Sequence, residues 1–280
     1  MDNILICSDL DRTILPNGKE PQSPEAMEIL KNFTKRVEIT LVYVSGRNER
    51  LLKKAVEEFG IPVPDFAIGD VGTTIFEPSN GWQPWDDYNE EIAKDWNGKT
   101  SGDLRKFLAG IGSLELQEQD KQNTFKLSYY ASPKIDSSEL KQEVRKCLAK
   151  ANVHVSLIWS IDEEKNVGLL DILPERATKV HAIRFLMEKK GYSPDQVVFA
   201  GDSGNDLPAL TSGLNAVLVR NGHRAVREEA VEIMTKKSMS ERLYLARGDF
   251  LGMNGNYCAG VLEGIAHFLP ETVEWMKSSR

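Results

Sequence analysis

Two short acidic runs stand where chemistry is to be expected. Asp9-Leu10-Asp11-Arg12-Thr13 closes the apolar run Ile4 to Ser8, and Gly201-Asp202-Ser203-Gly204-Asn205-Asp206 closes the run Val197 to Ala200. Apolar runs of that length read as buried parallel strands, and open parallel sheets bind ligands beyond the carboxyl ends of their strands. Two carboxylates two residues apart would divide the work. One would be an ionised nucleophile and metal ligand, the other a proton donor and acceptor. Taken alone, Asp9 to Thr13 reads equally as a strand-end turn with Asx capping. The second acidic run, with glycines that permit tight backbone, tips the reading toward a site. Magnesium takes a few oxygen ligands and keeps several waters, a demand that carboxylates from two loops meet. Ser45, at the end of Ile39 to Val44, adds a hydroxyl and backbone donors. Lys179, near the start of a helix, adds a compact positive charge suited to a phosphoryl oxygen.

The elements that must position these groups follow from apolar periodicity. Strands are expected at Ile4–Ser8, Ile39–Val44, Phe66–Ile68, Thr73–Phe76, Val197–Ala200 and Ala216–Val219. Helices are expected at Pro24–Arg36 with Ser23 as cap, Asn48–Phe59, Thr178–Lys190 and Tyr257–Phe268. The middle differs in texture. After Pro78-Ser79-Asn80-Gly81 and Pro84, the stretches Leu114–Gln117, Phe125–Tyr129 and Val153–Trp159 alternate apolar with polar, as a sheet with one wet face does. Ser137 to Ala151 reads as a helix, and Val167 to Leu173 as a further strand. The fold class is therefore α/β: a Rossmann-like parallel-sheet core, residues 1–84 and 175–280, with an inserted α+β cap, residues 85–174. The segments near Gly81 and Pro174 are the expected hinges.

The whole chain of 280 residues fits two domains. Thirty-five Lys plus Arg against 42 Asp plus Glu give a net charge of −7, which argues against a general nucleic-acid binder. Cys7, Cys147 and Cys258 show no CxxC spacing, and the four histidines make no zinc pattern with them. Asp2 stands where a signal peptide would be basic, and no apolar run approaches the roughly 20 residues of a membrane span. A reduced, cytoplasmic, globular protein, monomeric and without a membrane or nucleic-acid partner, is the expectation.

The four motifs, in this order, resemble the haloacid dehalogenase superfamily of phosphatases: Asp9 to Thr13, Ser45, Lys179, and Gly201-Asp202 through Asp206. The insertion is similar to a type C2 cap. A narrower resemblance, to the sucrose-phosphate phosphatase family, rests on several further runs. These are Ser45-Gly46-Arg47, Val71-Gly72-Thr73, Phe125-Lys126-Leu127-Ser128-Tyr129, Asp171-Ile172-Leu173-Pro174 and the closing Ala259 to Phe268. It covers nearly the whole chain, and is patchy between Pro84 and Thr124.

The resemblance implies Asp9 as nucleophile and Asp11 as acid and base. It implies Mg2+ held by Asp9, Asp11 through its backbone carbonyl, and Asp202, with Asp206 behind the metal or its water. Ser45, Gly46, Lys179 and Asn205 would bind phosphate, and Thr13 would fix the turn. Arg47, Gly72, Thr73, Lys126 and Asp171 would bind the sugar, though Arg47 reads equally as a surface ion pair, and Lys126 and Asp171 as one on a wet sheet face. Trp82, Trp85, Trp96 and Trp159 could stack on sugars or fill core. The implied function is hydrolysis of sucrose 6-phosphate, with a sugar-phosphate synthase as a conceivable partner. The rival readings are a phosphatase for another disaccharide or hexose phosphate such as mannosylfructose phosphate, a phosphomutase-like transferase, and a non-catalytic sugar-phosphate sensor.

Overall fold

A computed structural model describes residues 3–162 and 165–279. Twelve strands among them are β1 (Ile4–Ser8), β2 (Ile39–Val44), β3 (Phe66–Gly69), β4 (Thr74–Glu77), β5 (Gln83–Pro84), β6 (Glu115–Leu116), β7 (Leu127–Ala131), β8 (Val155–Asp162), β9 (Val167–Pro174), β10 (Val197–Gly201), β11 (Asn215–Leu218) and β12 (Leu243–Leu245). Eight form one sheet in the order β12-β11-β10-β1-β2-β3-β4-β5, and four form a second in the order β6-β7-β9-β8. Pairing is parallel from β12 to β3, and β4 and β5 add antiparallel edges. The smaller sheet is antiparallel throughout.

Burial explains the texture read from the sequence. Every residue of β1 is buried, and its alternate side chains enter two different apolar clusters, Leu5 and Cys7 in one, Ile4 and Ile6 in the other. A strand apolar on both faces must lie mid-sheet between layers of helices. The smaller sheet keeps a wet face, and Ile158 and Ile161 of its edge strand β8 are exposed.

The order reverses at β1: β2 lies on one side and β10 on the other. A parallel sheet opens a crevice at such a switch point, outside the strand ends. Asp9 follows β1, Ser45 follows β2, and Asp202 follows β10. Three neighbouring strands thus deliver three of the four motifs to one crevice.

Several boundaries differ from the periodicity reading. The first helix is Ala26–Phe33, and Ser23 does not cap it; the Ser23 hydroxyl accepts the N–H of Asn254 instead. Lys126 precedes β7, held in a bridge with Asn123, and does not belong to the strand. Helices Asp86–Ala93, Ser101–Leu108 and Arg224–Lys236 are further elements that the periodicity reading lacks. Gly81 turns a hairpin inside the larger sheet, and Pro174 is paired with Val155. The helix Asp86–Ala93 lies against the helix Lys179–Lys190, with the Tyr88 and Phe185 rings 5.1 Å apart. Among the described residues no helix is long and apolar enough to cross a membrane.

Candidate active site

Asp9 begins where β1 stops, its N–H donating to the Ala200 carbonyl of the neighbouring strand at 2.9 Å. Its carboxylate accepts from the Lys179 ammonium at 2.8 Å, and the same ammonium donates to Asp206 at 2.7 Å. Lys179 opens its helix behind Thr178, whose hydroxyl caps the first turn by accepting the N–H of His181. Asp206 turns its second oxygen toward the N–H groups of Asp202 and Ser203, 3.2 and 3.3 Å away. Gly201 is required here, because a Cβ would stand 2.7 Å from the Asp206 carboxyl carbon. The carboxylates of Asp9, Asp202 and Asp206, all buried, approach within 4.8 Å of one another.

Such a cluster is electrostatically incomplete. Burial raises the Asp9 carboxyl to about 7, with Asp206 and Asp202 adding to the rise and Lys179 opposing it. Asp202 is raised too, by burial and then by Asp206. Burial pulls Lys179 down, but the charges of Asp9 and Asp206 outweigh it and hold the ammonium protonated. Three carboxylates against Lys179 and Arg12, which pairs with Asp202 at 3.2 Å, leave negative charge that a further cation would neutralise. An all-oxygen donor set of this kind suits a hard divalent cation such as magnesium. The residues fit one.

Asp11, two residues on, has the opposite environment. Its carboxylate takes a bidentate pair from Arg47, at 2.6 and 2.9 Å, and a third bond from Asn17 at 2.7 Å. Burial pushes its pKa up, but the Arg47 bonds and charge carry it below the usual range. Its side chain stands outside the three-carboxylate cluster. Only the expectation of a backbone ligand from Asp11 remains compatible with that placement.

A cleft of about 320 Å³ opens over these groups, lined among others by Asp9, Asp11, Ser45, Gly46, Asp202 and Asn205. Ser45 donates its N–H to Ile68 and accepts at its hydroxyl from the Arg47 N–H. Gly46 faces open space. Asn205 accepts from the Ser203 hydroxyl and lines the cleft. Thr13, expected to fix the turn, does so through its backbone alone, since its buried hydroxyl has no partner among the described residues.

Of the expected sugar residues, Arg47 lines this cleft on Asp11, whereas Thr73, Lys126 and Asp171 are not among its lining. Lys126 is 3.9 Å from Asp171, which also accepts from Ser128. Thr73 accepts from Asn123 at 3.0 Å and lines a second cleft, of about 350 Å³, with Asp70, Thr74 and Gln122. Gly72 packs against the backbone of Thr178, where a Cβ would come within 2.5 Å, and its carbonyl accepts the Tyr88 hydroxyl. Of the four candidate indoles Trp96 is wholly buried, while Trp82, Trp85 and Trp159 are half-buried against the core, Trp85 stacked on Phe66 at 5.6 Å and Trp159 over Gly168.

Arg12 escaped the sequence reading. Its Nε donates to Asp202 at 3.2 Å, and its backbone sits at φ 59. The signal was its place inside the first motif, as the one cation between Asp9 and Thr13. Glu20, Asn221 and His223 gather beside it from distant positions that spacing could not reveal.

The model of the sucrose-6F-phosphate phosphohydrolase family matches residues 2–269. A Nitrosococcus oceani protein classed as a HAD-like hydrolase is 52% identical over 278 residues, 99% of this chain and 75% of that protein. Sucrose-phosphatase 1 of Nicotiana tabacum is 26% identical, over 95% of this chain and 59% of its own length. The chain therefore spans little more than half of the plant enzyme. The crystal structure of the sucrose-phosphatase of Synechocystis sp. PCC6803, in complex with sucrose and phosphate, shares the fold with a TM-score of 0.70. It is 24% identical, with 96% of this chain and 98% of that one covered.

Proposed function

Because the chain belongs to the sucrose-6F-phosphate phosphohydrolase family of phosphoric monoester hydrolases, we propose that it hydrolyses a sugar phosphate through an aspartyl-phosphate, with sucrose 6-phosphate as substrate. One observation carries the reading: two aspartates two residues apart are held in opposite protonation regimes at a switch point of the sheet, one beside two further buried carboxylates. Asp9, Asp202 and Asp206 would hold Mg2+, which when bound supplies the charge that lets an anionic carboxylate approach a phosphate.

Asp9 Oδ attacks phosphorus, forming a phosphorus–oxygen bond as the bond to the sugar oxygen breaks. Asp11 gives that oxygen its proton. A carboxyl held low by Arg47 is a poor acid, so Arg47 must turn to the arriving phosphate, whose own charge then raises Asp11. Water next attacks phosphorus, Asp11 takes the proton back, and the bond to Asp9 breaks. Lys179 and the donors of Ser45 and Gly46 steady the equatorial oxygens. The insertion, residues 85–174, serves as the cap that selects the sugar, through Thr73 at the junction and Lys126 and Asp171 above it.

Phosphate release from sucrose 6-phosphate, mannosylfructose phosphate, trehalose 6-phosphate and hexose 6-phosphates tests this reading, with Asp9→Asn as the blank. The highest kcat/KM is expected for sucrose 6-phosphate. A preference for hexose phosphates overturns the substrate, and no release from any of them overturns the reaction.

A further inference from the structure

The Asp202 carboxylate uses one oxygen, Oδ2, to accept from Arg12, and the group is 1% exposed. Arg12 in turn donates through Nη2 to Glu20 at 3.3 Å and to the Asn221 carbonyl at 3.2 Å. The opposite oxygen of Glu20 accepts the Tyr257 hydroxyl at 3.0 Å. Asn221 closes the loop, its side chain donating to the Arg12 carbonyl and accepting the Tyr257 N–H, both at 2.7 Å. These residues come from three distant stretches of chain and end on one carboxylate.

Two further observations mark the assembly as built. Tyr257 sits at φ 49, ψ −133, a backbone conformation that L side chains rarely adopt, so the surrounding bonds must hold it there. Gly18 is packed so closely that a Cβ would stand 2.6 Å from the Tyr257 hydroxyl, 2.7 Å from Glu20 and 2.9 Å from Arg12.

We infer that Arg12 is a positioning residue for the cation, fixing the Asp202 rotamer so that Oδ1 is presented to the cluster with Asp9 and Asp206, and that Glu20 and Tyr257 hold Arg12 to that task. The inference rests on Asp202 being a cation ligand. Its sign separates orientation from charge. A guanidinium beside a cation site opposes the cation by Coulomb repulsion, so removal of a mere charge would tighten binding. Loss of orientation weakens it, because Asp202 would turn from two like-charged neighbours. Partners that orient a ligand in this way are worth about 10- to 100-fold in metal affinity.

Titration of the full chain with Mn2+, read from the electron paramagnetic resonance signal of the free ion, gives the affinity without turnover. Arg12→Ala should bind about 10- to 100-fold more weakly than the wild type, and Tyr257→Phe should fall between them. Val144→Ala, a truncation buried beneath the smaller sheet, should lower Tm and leave the affinity unchanged. Wild-type or tighter binding by Arg12→Ala overturns the inference, as does equal weakening by Val144→Ala. Asp202→Asn with wild-type affinity removes the ligand reading beneath it.

Discussion

Each sheet buries a lysine beside aspartate, and the two arrangements differ in how closely they pair it. At the end of β1, Lys179 donates to Asp9 and Asp206 at 2.8 and 2.7 Å, and Asp202 stands close by with no second lysine. Beside the smaller sheet, Lys126 lies 3.9 Å from Asp171, whose oxygen the Ser128 hydroxyl already occupies, and its charge also acts on the buried Asp70. With Arg12 on Asp202 and Asp70 beside Lys126, each group keeps one carboxylate more than its cations; the first makes direct contacts and the second leaves 3.9 Å between Lys126 and Asp171. Buried charge without full compensation is costly, and it persists where it is used.

Four measurements sharpen or break that contrast. Asp9→Asn should reduce turnover on the order of 10⁴-fold or more while circular dichroism stays unchanged; an active variant would end the covalent mechanism. Excess chelator should stop phosphate release and added Mg2+ restore it, and hydrolysis that persists would mean the cluster needs no cation.

Lys179→Met should destabilise the fold by about 3–5 kcal/mol, because it strands buried carboxylates. Lys126→Met should cost only about 1 kcal/mol, as a partly solvated pair does. Equal losses in urea melts would erase the distinction between the two sheets.

The smallest effect is in pH. The Asp9 carboxyl is raised to about 7 in the folded chain, so between the ordinary carboxylate range and pH 7 the native state binds more protons than the unfolded one. Stability of the metal-free protein should therefore fall as pH rises across that window. The slope should shrink in Asp9→Asn, leaving the share of Asp202, which burial and Asp206 also raise, and shrink with Mg2+ present; a metal-free wild type that gains stability over the same range would contradict the charge shortage.

Much of the core was legible. Asp9, Ser45, Lys179, Asp202 and Asp206 lie within a few residues of strand or helix ends, so local apolar runs announce them. The partners of Asp202 were not legible, because Arg12, Glu20, Asn221 and Tyr257 meet only after folding, across separations of up to 237 residues. Lys126 was misplaced within its strand because alternation continues through Phe125 while the backbone turns at Asn123. The tryptophans stay open in the sequence for a related reason: large aromatics serve cores and sugar sites alike, and only packing tells them apart.

The position of β1 has a consequence for birth as well as for chemistry. Its neighbour β2 emerges within about forty residues, yet β10 and the acidic run behind it are made some 190 residues later. At translation rates of roughly 5–20 residues per second, that interval is about 10–40 s. The smaller sheet, β6 to β9, is complete well before then. A nascent chain therefore carries Asp9 on a strand with one flank open while the smaller sheet is already available to fold. A chaperone that shields that flank would protect the enzyme at its most aggregation-prone moment.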